Sequence, residues 1–109
     1  MASSEEFVRY ACDQMSGAGR ITYRKMFGDY GVYCDGKILG LICDNRLYVK
    51  ITKAGGLCWS DLPQEAPYEG ARLHYAVDDV DDAVKLSALV TATCSELPQP
   101  KQKKSKETQ

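Results

Sequence analysis

A chain of 109 residues, 44% hydrophobic and 27% charged, has material for one core but not two, and no apolar run approaches the ~20 residues of a membrane helix. Its net charge of −1 hides a split: residues 1–97 carry ten basic and fourteen acidic side chains, while residues 98–109 carry four lysines against Glu107. A body at −4 lacks the basic face usual in nucleic-acid-binding domains, and "MASSEEFVRY" lacks the pattern of a secretory signal, so a cytoplasmic location is expected.

In chain order, Ser3 and Glu6 fit a capping box, and Phe7, Val8, Ala11 and Met15 recur at helical spacing before "SGAG" ends the helix. This predicts a first helix over about residues 4–16. "ITYRKMF" (21–27) reads as a strand, "GDYG" (28–31) as a bend into the next. Asp35-Gly36 is a strong signal for a two-residue hairpin and Asp44-Asn45 a weaker one, because a type I′ turn needs positive φ at both positions. Taken literally, the two turns oppose Tyr33 to Ile38, Cys43 to Arg46 and Ile42 to Leu47.

Strand alternation then places Tyr33, Ile38, Ile42, Leu47, Val49 and Ile51 on one face, to be covered by helices. The other face receives Val32, Leu39, Leu41 and Tyr48, edged by Lys37, Arg46 and Lys50. That face is too apolar to be simply wet. Two covers suggest themselves: a second copy of the chain, giving a homodimer, or "KAGGLCWSDL" (53–62) folding back with Leu57 and Trp59.

That segment has the apolar spacing of a short helix despite Gly55-Gly56. "ARLHYAV" (71–77) alternates like a final strand, and Asp78 or Asp79 is expected to cap a last helix running to about Leu97, with Ala83, Leu86, Val90, Cys94 and Leu97 as its buried stripe. Residues 1–97 are thus expected as a single domain and 98–109 as a disordered, lysine-rich tail. The fold class is α+β: two layers, an antiparallel meander sheet packed against helices.

The residues that could carry chemistry are few. His74 is the sole histidine and sits inside a strand-like run, where a half-exposed sheet position is the commoner fate. The five cysteines (Cys12, Cys34, Cys43, Cys58, Cys94) are 22, 9, 15 and 36 residues apart, which matches no zinc site. They are expected as reduced, packed thiols. A Cys34–Cys43 bridge would have to span ~20 Å along a strand, against the ~6 Å a disulfide tolerates. The acidic group Asp78, Asp79, Asp81 and Asp82 is accounted for by the positive end of the helix that follows. No catalytic, metal or cofactor site is expected, and the chain is read as a non-enzyme.

At "YRKMFGDYGVY", "DGKILGLI" and "RLYVKI" the sequence resembles the N-terminal domain of the TfoX/Sxy family of bacterial competence regulators. The pattern is carried by Arg24, Met26, Phe27, Gly28, Tyr30, Gly31 and Tyr33, then Gly36 and Lys37, then Arg46, Leu47, Tyr48 and Lys50. "PYEGARLHYAVDDVDD" and "ELPQPKQKK" are similar to later segments of short, stand-alone members. The resemblance implies a two-layer α+β fold similar to secretion-chaperone-like domains, and a role in regulating competence or transcription without enzymatic activity. Larger members carry a second, C-terminal domain where this sequence has its tail.

Two functional readings follow. In the first, the domain is a regulatory module acting through protein contacts, with the transcription machinery or a second copy as partner. Arg24, Leu39, Leu41, Arg46 and Tyr48 are then the contact residues, and Gly28, Tyr30, Gly31 and Gly36 the structural motif. In the second, the tail lysines Lys101, Lys103, Lys104 and Lys106 touch nucleic acid weakly. No membrane partner is expected.

Overall fold

The computed structural model describes residues 4–26, 29–78 and 80–97. Gly28, Asp79 and the tail lysines Lys101, Lys103, Lys104 and Lys106 lie outside them. Helix α1 (Glu5–Gln14) is capped by Ser4, whose hydroxyl accepts from the Phe7 amide at 3.1 Å, so the cap sits one residue later than expected. A single 3₁₀ turn over Ser16–Ala18 follows. Four strands come next: β1 (Ile21–Met26), β2 (Asp29–Cys34), β3 (Lys37–Cys43) and β4 (Arg46–Lys50). After them stand α2 (Lys53–Cys58), the two-residue β5 (Gln64–Glu65), β6 (His74–Val77) and α3 (Ala83–Glu96). The six strands form one antiparallel sheet in the order β1-β2-β3-β4-β6-β5. The two-layer α+β reading holds. β5 had no signal of its own, since two residues carry no periodicity.

Both hairpin turns have the expected backbone. Asp35 and Gly36 have φ of 52° and 85°, Asp44 and Asn45 of 54° and 58°. Tyr33 opposes Ile38, Ile42 opposes Leu47 and Cys43 opposes Arg46, as the turns dictate. Between the turns, however, the β2–β3 register slips. Val32 opposes Gly40 rather than Leu39, so Leu39 is an extra residue on β3, a β-bulge. From there on, the pairing is displaced by one and Tyr30 meets Ile42.

That slip corrects the assignment of faces. Val32 and Leu39, expected on the second face, are both fully buried in the helix-covered core with Tyr30, Ile42, Leu47 and Val49. Tyr33 and Ile38, expected in the core, are half-buried, and Ile51 is 39% exposed. For Ile38 and its partner Tyr33 the reason is geometric: a bulge restarts the in–out alternation, so residues on its two sides no longer share a parity. Ile51 keeps the parity of Leu47 and Val49 but lies past the end of β4.

The core is closed by Val8 and Ala11 of α1, by Met15 at its C-terminal cap, and by Leu86, Leu89 and Val90 of α3. Helix α3 keeps the expected stripe but widens it with Leu89 and Thr93, and its cap is Asp82, which accepts from the Lys85 amide at 3.0 Å. Helix α2 corrects a second expectation. Trp59, directly after it, is buried in the helix-side core with the Lys85 ammonium 4.6 Å from its ring centre, and Leu57 is 82% exposed. This segment therefore does not cover the outer face of the sheet. Among the described residues, no helix is long and apolar enough to cross a membrane.

Candidate functional site

With the helices on one side, the other face of the sheet is left to β-strand side chains and the 66–73 loop. In its middle, Cys43, Tyr48 and Ala76 form a second small apolar cluster, with Leu41 packed against it. Toward β1 the surface sinks into a hollow of about 290 Å³ lined by Met26, Asp29, Tyr30, Leu41, Cys43 and Tyr68. Alternation explains the set: Met26 opposes Asp29 across β1–β2, and Leu41 and Cys43 lie two apart on β3. Tyr68, 58% exposed, comes from the loop and forms one wall.

In the sheet Gly31 opposes Arg24 on β1 and Leu41 on β3. A β-carbon there would lie 2.7 Å from the Met26 Cε, so the absent side chain is what lets Met26 lie across β2. Tyr30 is buried beneath, its ring edge-on to Tyr23 at 5.6 Å. Of the motif read from the sequence, Tyr30 thus lines the hollow and Gly31 leaves room for Met26 beside it.

Chemically the hollow is quiet. The Cys43 thiol is pushed up from 9.0 to about 11, first by burial and then by the neighbouring Asp29 carboxylate. A protonated thiol is a poor nucleophile at neutral pH. His74 lies elsewhere, with Nδ1 2.9 Å from the Arg72 carbonyl oxygen. Among the described residues, no three His, Cys, Asp or Glu side chains come together as a metal site.

The five expected contact residues have different fates. Leu41 is half-buried at the hollow's rim and Arg24 is exposed on the edge strand β1. Tyr48 is only 7% exposed, under Arg46, whose guanidinium carbon lies 5.8 Å from the ring centre. The Arg46 donors are committed: Nε reaches Asp78 and Nη1 reaches Glu65, each at 2.8 Å. That fork ties β4 to β5 and to the end of β6, an internal clamp. Leu39 is fully buried and is no surface residue. Met26, Asp29, Cys43 and Tyr68 were missed. Met26 lay inside the motif, but only the bulge and the loop path bring the four together.

The five cysteines are unbridged. Burial raises Cys12 to about 11 and, with its neighbour Cys34, Cys94 to about 12, from an ordinary 9.0. The folded thiols therefore keep their protons to higher pH than the unfolded ones. The stability they contribute is complete below about pH 9 and is lost as the pH climbs through about 11–12. Denaturant midpoints measured across that range should fall steadily. At pH 8, a thiol reagent should modify the exposed Cys58 rapidly, and the buried Cys12, Cys34, Cys43 and Cys94 only on unfolding.

The strand side chains of the hollow, the Arg46 of the clamp and two type I′ hairpins all come from the segment that carries the family likeness. The TfoX N-terminal domain family matches residues 13–96. The chain is also similar to an uncharacterized 12.7 kDa protein in the trpE 5′ region of Spirochaeta aurantia, at 35% identity over 107 residues, which are 97% of this chain and 93% of that protein. With its whole sheet, α2, α3 and the motif inside the matched span, the chain belongs to the TfoX N-terminal domain family.

Proposed function

We propose that the protein is a non-enzymatic regulatory module, related to bacterial competence and transcription regulators, that acts through protein contacts on the open face of its sheet. The observation that carries this reading is the hollow bounded by Met26, Leu41 and Tyr68, an apolar depression on a face that no helix among the described residues covers. Burying one aliphatic side chain there contributes roughly 1.5–3 kcal/mol before the costs of association. That suits a reversible contact. The raised Cys43 thiol speaks against nucleophilic chemistry in the same place.

Affinity capture from the native host, comparing the wild type with Leu41→Gln, tests it. A partner recovered by the wild type and lost by a folded Leu41→Gln is expected; nothing above background with either sinks the reading. Light scattering at high micromolar concentration identifies the special case in which the partner is a second 12.1 kDa copy. The rival, weak nucleic-acid binding through Lys101, Lys103, Lys104 and Lys106, is favoured only by the charge split, +3 in the tail against −4 in the body. It requires binding that weakens steeply with salt and vanishes on truncation after Leu97.

A further inference from the structure

The β4–β6 ladder ends where Lys50 opposes His74. One step further, the strands part. Val49 and Tyr75, the last inward pair, are buried, whereas Ile51 and Leu73, next in line, are 39% and 54% exposed. Between them opens a cleft of about 210 Å³, lined also by Lys50, Arg72 and His74. The Arg72 carbonyl can only accept, so its 2.9 Å contact places a proton on His74 Nδ1 and ties the loop to the ladder's end.

The charges at this fork are uncompensated. Neither Lys50 nor Arg72 enters an ion pair among the described residues. Glu65, which opposes His74 across β5–β6, is held by Arg46 at 2.8 Å. Two free cations thus flank two exposed aliphatic side chains, on a body that is otherwise net acidic.

We infer that this fork docks an acidic peptide segment of another protein, with an aliphatic side chain between Ile51 and Leu73 and carboxylates on Lys50 and Arg72. The inference rests on the protein-contact reading and gives it a second surface with a stated partner chemistry. The cleft is smaller than the ~300–1,000 Å³ of small-molecule pockets, but admits one side chain. A polyanion such as nucleic acid needs a basic stripe. Two cations on a body of −4 do not make one, and exposed aliphatics would serve it nothing. Carboxylates would steer the segment and set its register, while the aliphatic burial would hold it.

The test is fluorescence anisotropy on the full chain with a labelled EDLLDE peptide. Saturable binding is expected, weakened about tenfold or more by Lys50→Glu with Arg72→Glu and about fivefold by Leu73→Ala. A KKLLKK peptide should not bind. Absence of saturation up to about 1 mM, a weak limit by the usual scale of specific contacts, overturns the proposal. So does equal affinity in the charge-reversed variant, or preferential binding of a single-stranded oligonucleotide that the same variant abolishes. Thermal melts verify that each variant is folded. Leu41→Gln, which removes the contact on the hollow, should leave the peptide's affinity unchanged. Failure of the peptide with Leu41-dependent capture intact therefore sinks only this inference.

Discussion

Gly40→Ala is expected to destabilise the domain by about 4 kcal/mol, in the exceptional tail of single substitutions. A β-carbon at this position would lie 2.0 Å from the Tyr48 carbonyl oxygen and 3.0 Å from the Val49 Cα. Both obstacles are backbone of the neighbouring strand, so no rotamer change relieves them. The strands would have to separate where Gly40 opposes both Val32 and Val49. The bulge beside it could not then be kept, and Leu39 would be driven out of the core. For a domain of this size the loss corresponds to a fall in Tm of roughly 16–32 °C, against a total stability of about 5–15 kcal/mol. Thermal unfolding followed by circular dichroism reads it directly. A shift below about 5 °C would mean that β3 and β4 do not approach as closely as the β-carbon position implies.

The second large effect is a contrast between two leucines two residues apart. Leu39→Ala should cost about 3 kcal/mol, within the 2–5 kcal/mol span for truncating a buried leucine, because the cavity it leaves lies in the closed helix-side core. Leu41→Ala should cost about 1 kcal/mol or less, since Leu41 is half-buried at the hollow's rim and its loss opens only toward solvent. Without a bulge, residues 39 and 41 would share a face and the two costs would be alike. Urea midpoints of the two variants, compared at equal m-values, decide the matter. Equal destabilisation would remove the bulge from the account. The same pair separates stability from function: capture of a partner should fail for Leu41 variants that remain folded.

Much of this was readable in the chain because it is local. A type I′ turn is a property of two residues, so Asp35-Gly36 and Asp44-Asn45 announced both hairpins and their immediate pairings. Helices α1 and α3 followed from apolar spacing, and the motif around Gly28, Tyr30 and Gly31 carried the family. Short-range rules fail where the outcome depends on a distant partner. Gly40, beside Leu39, marks a bulge or a close backbone approach without saying which; the close approach of β4 at Gly40 and the helix layer behind β3 settle it. Arg46 read equally well as an exposed contact. Only the arrival of Glu65 and Asp78 beside it, nineteen and thirty-two residues away in sequence, turns it into a clamp.

The sequence by itself thus determined the class of fold, the turns, the helical stripes and the family, since each rests on periodicity or backbone preference within a few residues. The tertiary structure alone decided which sheet face is core, where the hollow lies, and which cations at the β4–β6 fork have no ion-pair partner among the described residues. Those depend on strands separated by tens of residues coming within a few ångströms. The register slip at Leu39 shows why: one added residue costs little locally but reassigns every side chain beyond it to the opposite face.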